Sequence, residues 1–242
     1  MRYKPIALAA AALATGLAAA PASANLIQLS DVQLTGQGIG ATFTTLTLQA
    51  TGASTTESGG VLFNGNVFGD ALTGASQSST FTFADLSISN ASQLALIVNL
   101  AEPGSENPPS VTTAASTLSS NANLANAITL NVYSAGGTLI QQHTANSGLT
   151  LNQIAGGVGG SGLVFGLDAT EQSALNAIMA STAGNEVFTV GATFANAQGG
   201  NDTIQAARLT QVSAVPEPES YALLLAGLGA LGFVSKRRSR RS

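Results

Sequence analysis

The chain of 242 residues has no cysteine, no tryptophan, a single histidine and only eight Lys and Arg residues. Without cysteine there is neither a disulfide framework nor a thiolate nucleophile, so stability has to come from a packed core. One histidine and no cysteine also rule out a zinc centre built on several His or Cys ligands. A Ser-His-Asp arrangement would rest wholly on His143, and no G-x-S-x-G elbow accompanies it. Its neighbours Gln141, Gln142 and Thr144 are polar, which predicts an exposed strand end or loop. The composition calls for no cofactor.

Basic residues are scarcer still once their positions are considered. Arg2 and Lys4 sit near the N-terminus, and Lys236, Arg237, Arg238, Arg240 and Arg241 at the C-terminus. Residues 25–214 keep Arg208 alone against ten carboxylates, a formal charge of −9 where the whole chain carries −4. That balance excludes nucleic acid and anionic membrane surfaces as partners of this part, because both are bound through basic patches.

The two ends read as processing segments. Arg2 and Lys4 precede an uncharged Ala/Leu-rich stretch over 6–20, and Ala22-Ser23-Ala24 places small residues where a signal peptidase reads. Residues 1–24 are thus a Sec signal peptide, cleavage after Ala24 leaving Asn25 as the mature N-terminus. At the other end Val215-Pro216-Glu217-Pro218-Glu219-Ser220 is rigid and polar, residues 221–234 are uncharged and apolar, and the basic cluster follows. Fourteen helical residues reach about 21 Å, short of the roughly 30 Å hydrocarbon core, so the segment suits a transient inner-membrane anchor. The basic cluster should stay cytoplasmic and retain the tail. Within the apolar stretch Ala222, Ala226 and Ala230 line one helical face.

The order Val-Pro-Glu-Pro, short apolar helix with Gly227, Gly229 and Gly232, then Arg-rich end resembles the PEP-CTERM sorting signal of Gram-negative bacteria. The resemblance implies processing by a membrane-embedded exosortase at Val215, Pro216, Glu217 and Pro218. It further implies delivery to the cell surface or to the extracellular polysaccharide matrix of a biofilm. Glu102-Pro103-Gly104, the strand ending at Tyr133, and residues 161–168 are similar to segments of other exported proteins of this kind, a likeness that implies no activity.

The exported part, residues 25–214, is rich in Thr, Ser, Asn, Gly and Ala yet keeps regular apolar alternation, which argues for a fold. Leu94, Leu96, Val98 and Leu100 alternate with smaller or polar residues, as do Ile128, Leu130 and Val132, and Phe188, Val190, Ala192 and Phe194. Ser134-Ala135-Gly136-Gly137 reads as a hairpin turn into 138–142. Further strands are expected over 42–48, 80–88, 162–166 and 203–212, with a bend at Ala84-Asp85 where the apolar phase shifts. Asp168 as N-cap, with Glu171 three residues on, opens a helix over 172–180 that Gly184 stops. Residues 101–126, broken by Pro103, Pro108 and Pro109, read as a long loop with a short helical turn in its second half. The pattern predicts a mainly β domain, an antiparallel, jelly-roll-like sandwich with one short helix.

Candidate sites are few. Two G-x-G-x-x-G matches, 157–162 and 227–232, lack the strand-to-helix setting that a phosphate-binding turn requires. Glu102, Glu106, Asp168 and Asp202 are loop-placed carboxylates suited in chemistry to Ca²⁺, though without EF-hand spacing. Sugar stacking lacks aromatic partners, since Tyr133 is the only Tyr of the exported part and its eight Phe residues are suited to the core. The sequence therefore points to a noncatalytic secreted protein, meeting Sec, signal peptidase and exosortase during export and extracellular polysaccharide afterwards. A weak carbohydrate- or Ca²⁺-binding matrix module and a secreted hydrolase stand as alternatives.

Overall fold

A computed structural model describes residues 24–30, 39–51, 54–103, 109–116, 118, 124, 127–153 and 162–209. Within these lie twelve strands, one α-helix and a 3-10 turn. One sheet runs β2 (Ile39–Leu48), β12 (Asp202–Leu209), β5 (Leu94–Asn99), β10 (Leu163–Leu167), β1 (Ala24–Ser30). The other runs β8 (Leu139–Thr144), β7 (Ile128–Tyr133), β11 (Val187–Ala195), β3 (Thr56–Val61), β4 (Val67–Gly69), with β6 (Ser110–Thr113) bridging β11 and β9 (Thr150–Asn152). β1 joins the two: it is antiparallel to β10 and pairs in parallel with β8 at Ala24 and Asn25. All other named pairings are antiparallel.

The alternating positions become one core. Leu94, Leu96 and Val98 of β5, Phe165 of β10 and Ile204 of β12 join Leu130 and Val132 of β7 and Val190 and Phe194 of β11 in a single buried cluster. Opposite-facing side chains on the second sheet are polar but paired. Asn131 donates to the Thr189 hydroxyl at 3.2 Å, and Gln142 donates to the Asn131 carbonyl oxygen at 2.7 Å. Tyr133 lies against Phe63, ring centres 5.4 Å apart, and is only 6% exposed, so it presents no free face to a sugar.

The expected strand over 80–88 does not form. Phe81 makes one two-way backbone pair with Phe188, after which the Asp85 carboxylate accepts from both the amide and the hydroxyl of Thr82, each at 2.7 Å. Ser87 then turns left-handed at φ 52°. These local bonds satisfy the backbone better than a ladder would, and the apolar residues are used differently. Phe81 stacks on Phe188 at 5.1 Å, Phe83 packs on the same ring at 4.5 Å, and Phe43 of β2 approaches Phe81 at 6.4 Å. The segment thus plugs the space between the sheets.

The stretch 101–126 is also not simply a loop, for β6 forms within it; the helical turn expected in its second half lies outside the described residues. β3 was not among the expected strands; its Gly59-Gly60 pair carries no apolar alternation. Here the pair permits close approach instead. A Cβ on Gly59 would sit 2.6 Å from the Phe68 carbonyl oxygen, and one on Gly60 2.9 Å from the Gly191 Cα. The helix α1 (Ala169–Thr182) starts where expected: Asp168 caps it, accepting from the Glu171 amide at 2.9 Å. It ends through Ala183 in the left-handed region and Gly184.

Truncating Phe188 removes the ring on which two others pack. Phe188→Ala is expected to lose about 3–5 kcal/mol of stability, read as a lower denaturant midpoint with an unchanged slope.

Candidate functional site

At one end of the two sheets, β2 and β5 leave their sheet while β3 and β12 enter theirs. Three carboxylates meet there: Glu57 on β3, Glu102 just beyond β5 and Asp202 at the first position of β12. All three are buried, with Glu57 0%, Glu102 4% and Asp202 1% exposed. One carboxylate oxygen from each lies within 4.8 Å of the other two.

Backbone amides from three different segments hold the trio in place. The Ala50 amide donates to Glu57 Oε1 at 2.9 Å, the Ala101 amide to Asp202 Oδ1 at 2.9 Å, and the Gln198 amide to Glu102 Oε2 at 2.5 Å. Gln153 Oε1 accepts from the Glu102 amide at 3.1 Å and so fixes the backbone of that residue. The loop into β12 can come this close because Gly200 has no side chain; a Cβ there would sit 2.0 Å from the Ala101 carbonyl oxygen. Each carboxylate therefore commits one oxygen to the backbone. The others, Glu57 Oε2, Glu102 Oε1 and Asp202 Oδ2, are buried without a hydrogen-bond partner among the described residues.

Burying acids without basic partners raises their affinity for protons. Burial pushes the Glu57 carboxyl up to about 7, with the neighbouring Glu102 and Asp70 adding to it against the Ala50 hydrogen bond. Asp202 is pushed up to about 8, first by burial and then by Glu57 and Glu102. Asp70 faces Glu57 from the turn after β4, where its Oδ2 accepts from the Ser58 amide at 2.8 Å. Oxygen-only ligands of this kind suit hard divalent cations, not thiolate- or imidazole-seeking metals.

Of the four carboxylates singled out from the sequence as loop-placed, the structure joins Glu102 and Asp202, buries both and puts Asp202 on a strand. Asp168 is instead the N-cap of α1, and Glu106 lies outside the described residues. Glu57 was missed. Nothing local marks it, since one acid in a Thr-Glu-Ser-Gly-Gly run reads as surface. The only usable signal was global: with Arg208 as the lone cation of residues 25–214, any buried acid must go without a basic partner.

His143 also departs from expectation. It lies within β8, is 0% exposed, and sits under α1 with Nδ1 3.7 Å from Glu171 Oε2. Polar neighbours in sequence misled because alternate residues of a strand point to opposite faces, and His143 is the inward one. Burial lowers its pKa to about 4, outweighing the nearby Asp168, so the ring is neutral at ordinary pH. Neither ring nitrogen has a hydrogen-bond partner among the described residues, and no hydroxyl nucleophile is paired with it. Glu171, expected to complete a capping box with Asp168, turns inward to this histidine instead. A reciprocal box does form elsewhere, between Asn90 and Gln93 around the 3-10 turn.

The opposite signs of these shifts give a defined pH response. A carboxyl whose folded pKa is raised binds more protons folded than unfolded, so stability falls as pH rises from about 4 toward 7–8. A histidine whose folded pKa is lowered does the reverse between about 4 and its unfolded value of about 6.5. The two oppose each other below pH 6.5, and only the carboxylates act above it. In chelator-containing buffer the melting temperature is expected to fall between pH 6.5 and 8, and Asp202→Asn to flatten that fall. His143→Leu should leave it unchanged while removing the histidine's contribution on the acid side.

The sorting residues Val215, Pro216, Glu217 and Pro218, the basic tail and Ala22 lie outside the described residues, whereas Ala24 and Asn25 open β1. Among the described residues no helix is long and apolar enough to cross a membrane, and the apolar stretch over 221–234, expected to form the transient anchor, lies outside them. No curated protein matches the chain, and no solved structure does. Residues 214–239 do match a family description, the PEP-CTERM protein-sorting motif, and with it the chain carries the mark of an exported protein processed by an exosortase.

Proposed function

We propose that residues 25–214 are a noncatalytic secreted domain, released from its signal peptide and delivered by exosortase processing to the cell surface or extracellular polysaccharide matrix. The sorting motif at 214–239 carries this reading. The domain between the two processing segments suits it. Its acidic, cysteine-free composition favours solubility in the extracellular medium. Its strands alternate between sheets as β2-β12-β5-β10 and β3-β11-β7-β8, which we read as a jelly roll. A fold of this kind does not by itself name a ligand.

A hydrolase reading draws no support from the one histidine, which is neutral, buried and without a paired nucleophile. Cation binding is favoured by a specific observation, the three buried carboxylates with free oxygens. Cleavage after Ala24 would make Asn25 the first residue of β1, leaving the pairing with β10 whole and, of the two positions paired with β8, Asn25 alone.

Intact-protein mass spectrometry on material from cells with and without the processing enzyme tests the sorting reading. The expected mature species begins at Asn25 and ends between Val215 and Glu219, in the competent strain only. A species keeping residues 221–242 in both strains would make the tail a permanent anchor and reject the proposal.

A further inference from the structure

We infer that Glu57, Glu102 and Asp202 form a binding site for a single divalent cation, with calcium the ion that fits best. The argument starts from what is left over at the site. Each carboxylate spends one oxygen on a backbone amide and keeps the other buried without a hydrogen-bond partner among the described residues. An orphaned buried carboxylate oxygen is costly, and here three carboxylates that each carry one meet, an oxygen of each within 4.8 Å of the others. Their positions are set by main chain from the ends of β2 and β5 and the loop into β12, so the arrangement does not depend on flexible side chains reaching inward.

No cation among the described residues answers them. Arg208 is the only Lys or Arg of residues 25–214, and it lies six residues along β12 from Asp202, about 20 Å at the usual strand rise. His143 is committed to the underside of α1. A bound divalent ion would offset most of the triple negative charge and give each free oxygen a ligand to bind.

Size and hardness select the ion. Two oxygens on one calcium, each at about 2.4 Å, lie at most about 4.8 Å apart. The three carboxylates already offer oxygens within 4.8 Å of one another. Magnesium holds its ligands at about 2.1 Å in a stricter octahedron and gives up its waters reluctantly, so it suits a cage of several fixed carboxylates less well than calcium does. With three protein oxygens the remaining positions fall to water or main-chain carbonyls, the arrangement of a modest-affinity site. Extracellular calcium modules bind at about 10⁻⁴–10⁻³ M, so such a site fills only where calcium is plentiful, after export. Filling it would clamp the ends of β2, β3, β5 and β12 together. The site stands independently of how the C-terminal tail is processed.

The rival explanation is a cluster that holds protons in place of a metal, and the two differ in what an amide does. The full chain, stripped with chelator and returned to chelator-free buffer at pH 8, is titrated with CaCl₂ by calorimetry and by melting curve. The expected result is one saturable site and a melting temperature higher by on the order of 3–10 °C at 10 mM CaCl₂. Glu57→Gln and Asp202→Asn should each lose that rise, while Asp85→Asn, at an exposed turn carboxylate, should keep it. No heat and no shift in the unaltered chain would overturn the proposal, whether or not the amide variants fold. So would amide variants that gain stability in chelator and respond to CaCl₂ as the parent does, since that is the behaviour of a proton-sharing cluster. An equal response to MgCl₂ would overturn the choice of calcium.

Discussion

Burial of one aliphatic and phenylalanine core between two sheets has to do most to hold this domain together, because disulfides and ion-pair networks are both missing. There is no disulfide, and with a single Arg against ten carboxylates there is almost nothing from which to build ion pairs. The core accordingly draws on both sheets and on the segment between them. Phe188 of β11 receives Phe81 and Phe83 from the turn over 80–88, and Phe81 in turn reaches Phe43 of β2. Each of these rings contributes largely through the apolar area it removes from water. β1 completes the arrangement by pairing with a strand of each sheet.

Against that apolar background the three acids at the end of the sheets are a place where burial works against the fold. Desolvation raises the proton affinity of Glu57 and Asp202, and their mutual repulsion raises it further. A protein with spare lysines would neutralise such a cluster from within. The described residues contain no lysine, so protons or a metal ion have to do it. The same end of the molecule is where loops between β2 and β3, after β5 and before β12 converge, and Gly200 exists there to let two backbones touch.

His143 shows the same physics with the opposite sign. Buried beneath α1 and 3.7 Å from Glu171, it is kept neutral, because charging it would cost more than the acidic neighbours return. The one histidine of the chain thus acts as packing at the junction of helix and sheet. The helix above it is short and depends on its cap at Asp168 and on Leu175, which is fully buried, to stay seated.

What could be read from the sequence was whatever repeats or repels locally. The period-two runs of β5, β7 and β11 and the turn at 134–137 are visible because neighbouring residues in the chain are neighbours on one face of a strand. The N-cap at Asp168 is visible for the same reason, and the sorting tail is a linear signal that needs no fold to be recognised. β3 was hidden because its glycines are chosen for a contact with Phe68 and Gly191, and the strand expected over 80–88 was lost to the hydrogen bonds of Asp85. The carboxylate trio was the least legible of all. Residues 57, 102 and 202 are far apart in the chain, and only the pairing of β12 with β2 and β5 and of β3 with β11 brings them within one coordination sphere. The sequence by itself determined where the chain is sent, how acidic it is and that it folds as sheets. Which acids are buried together, and that the lone histidine is buried and neutral, only the tertiary structure decided, because burial is a property of the assembled sheets and not of any stretch of residues.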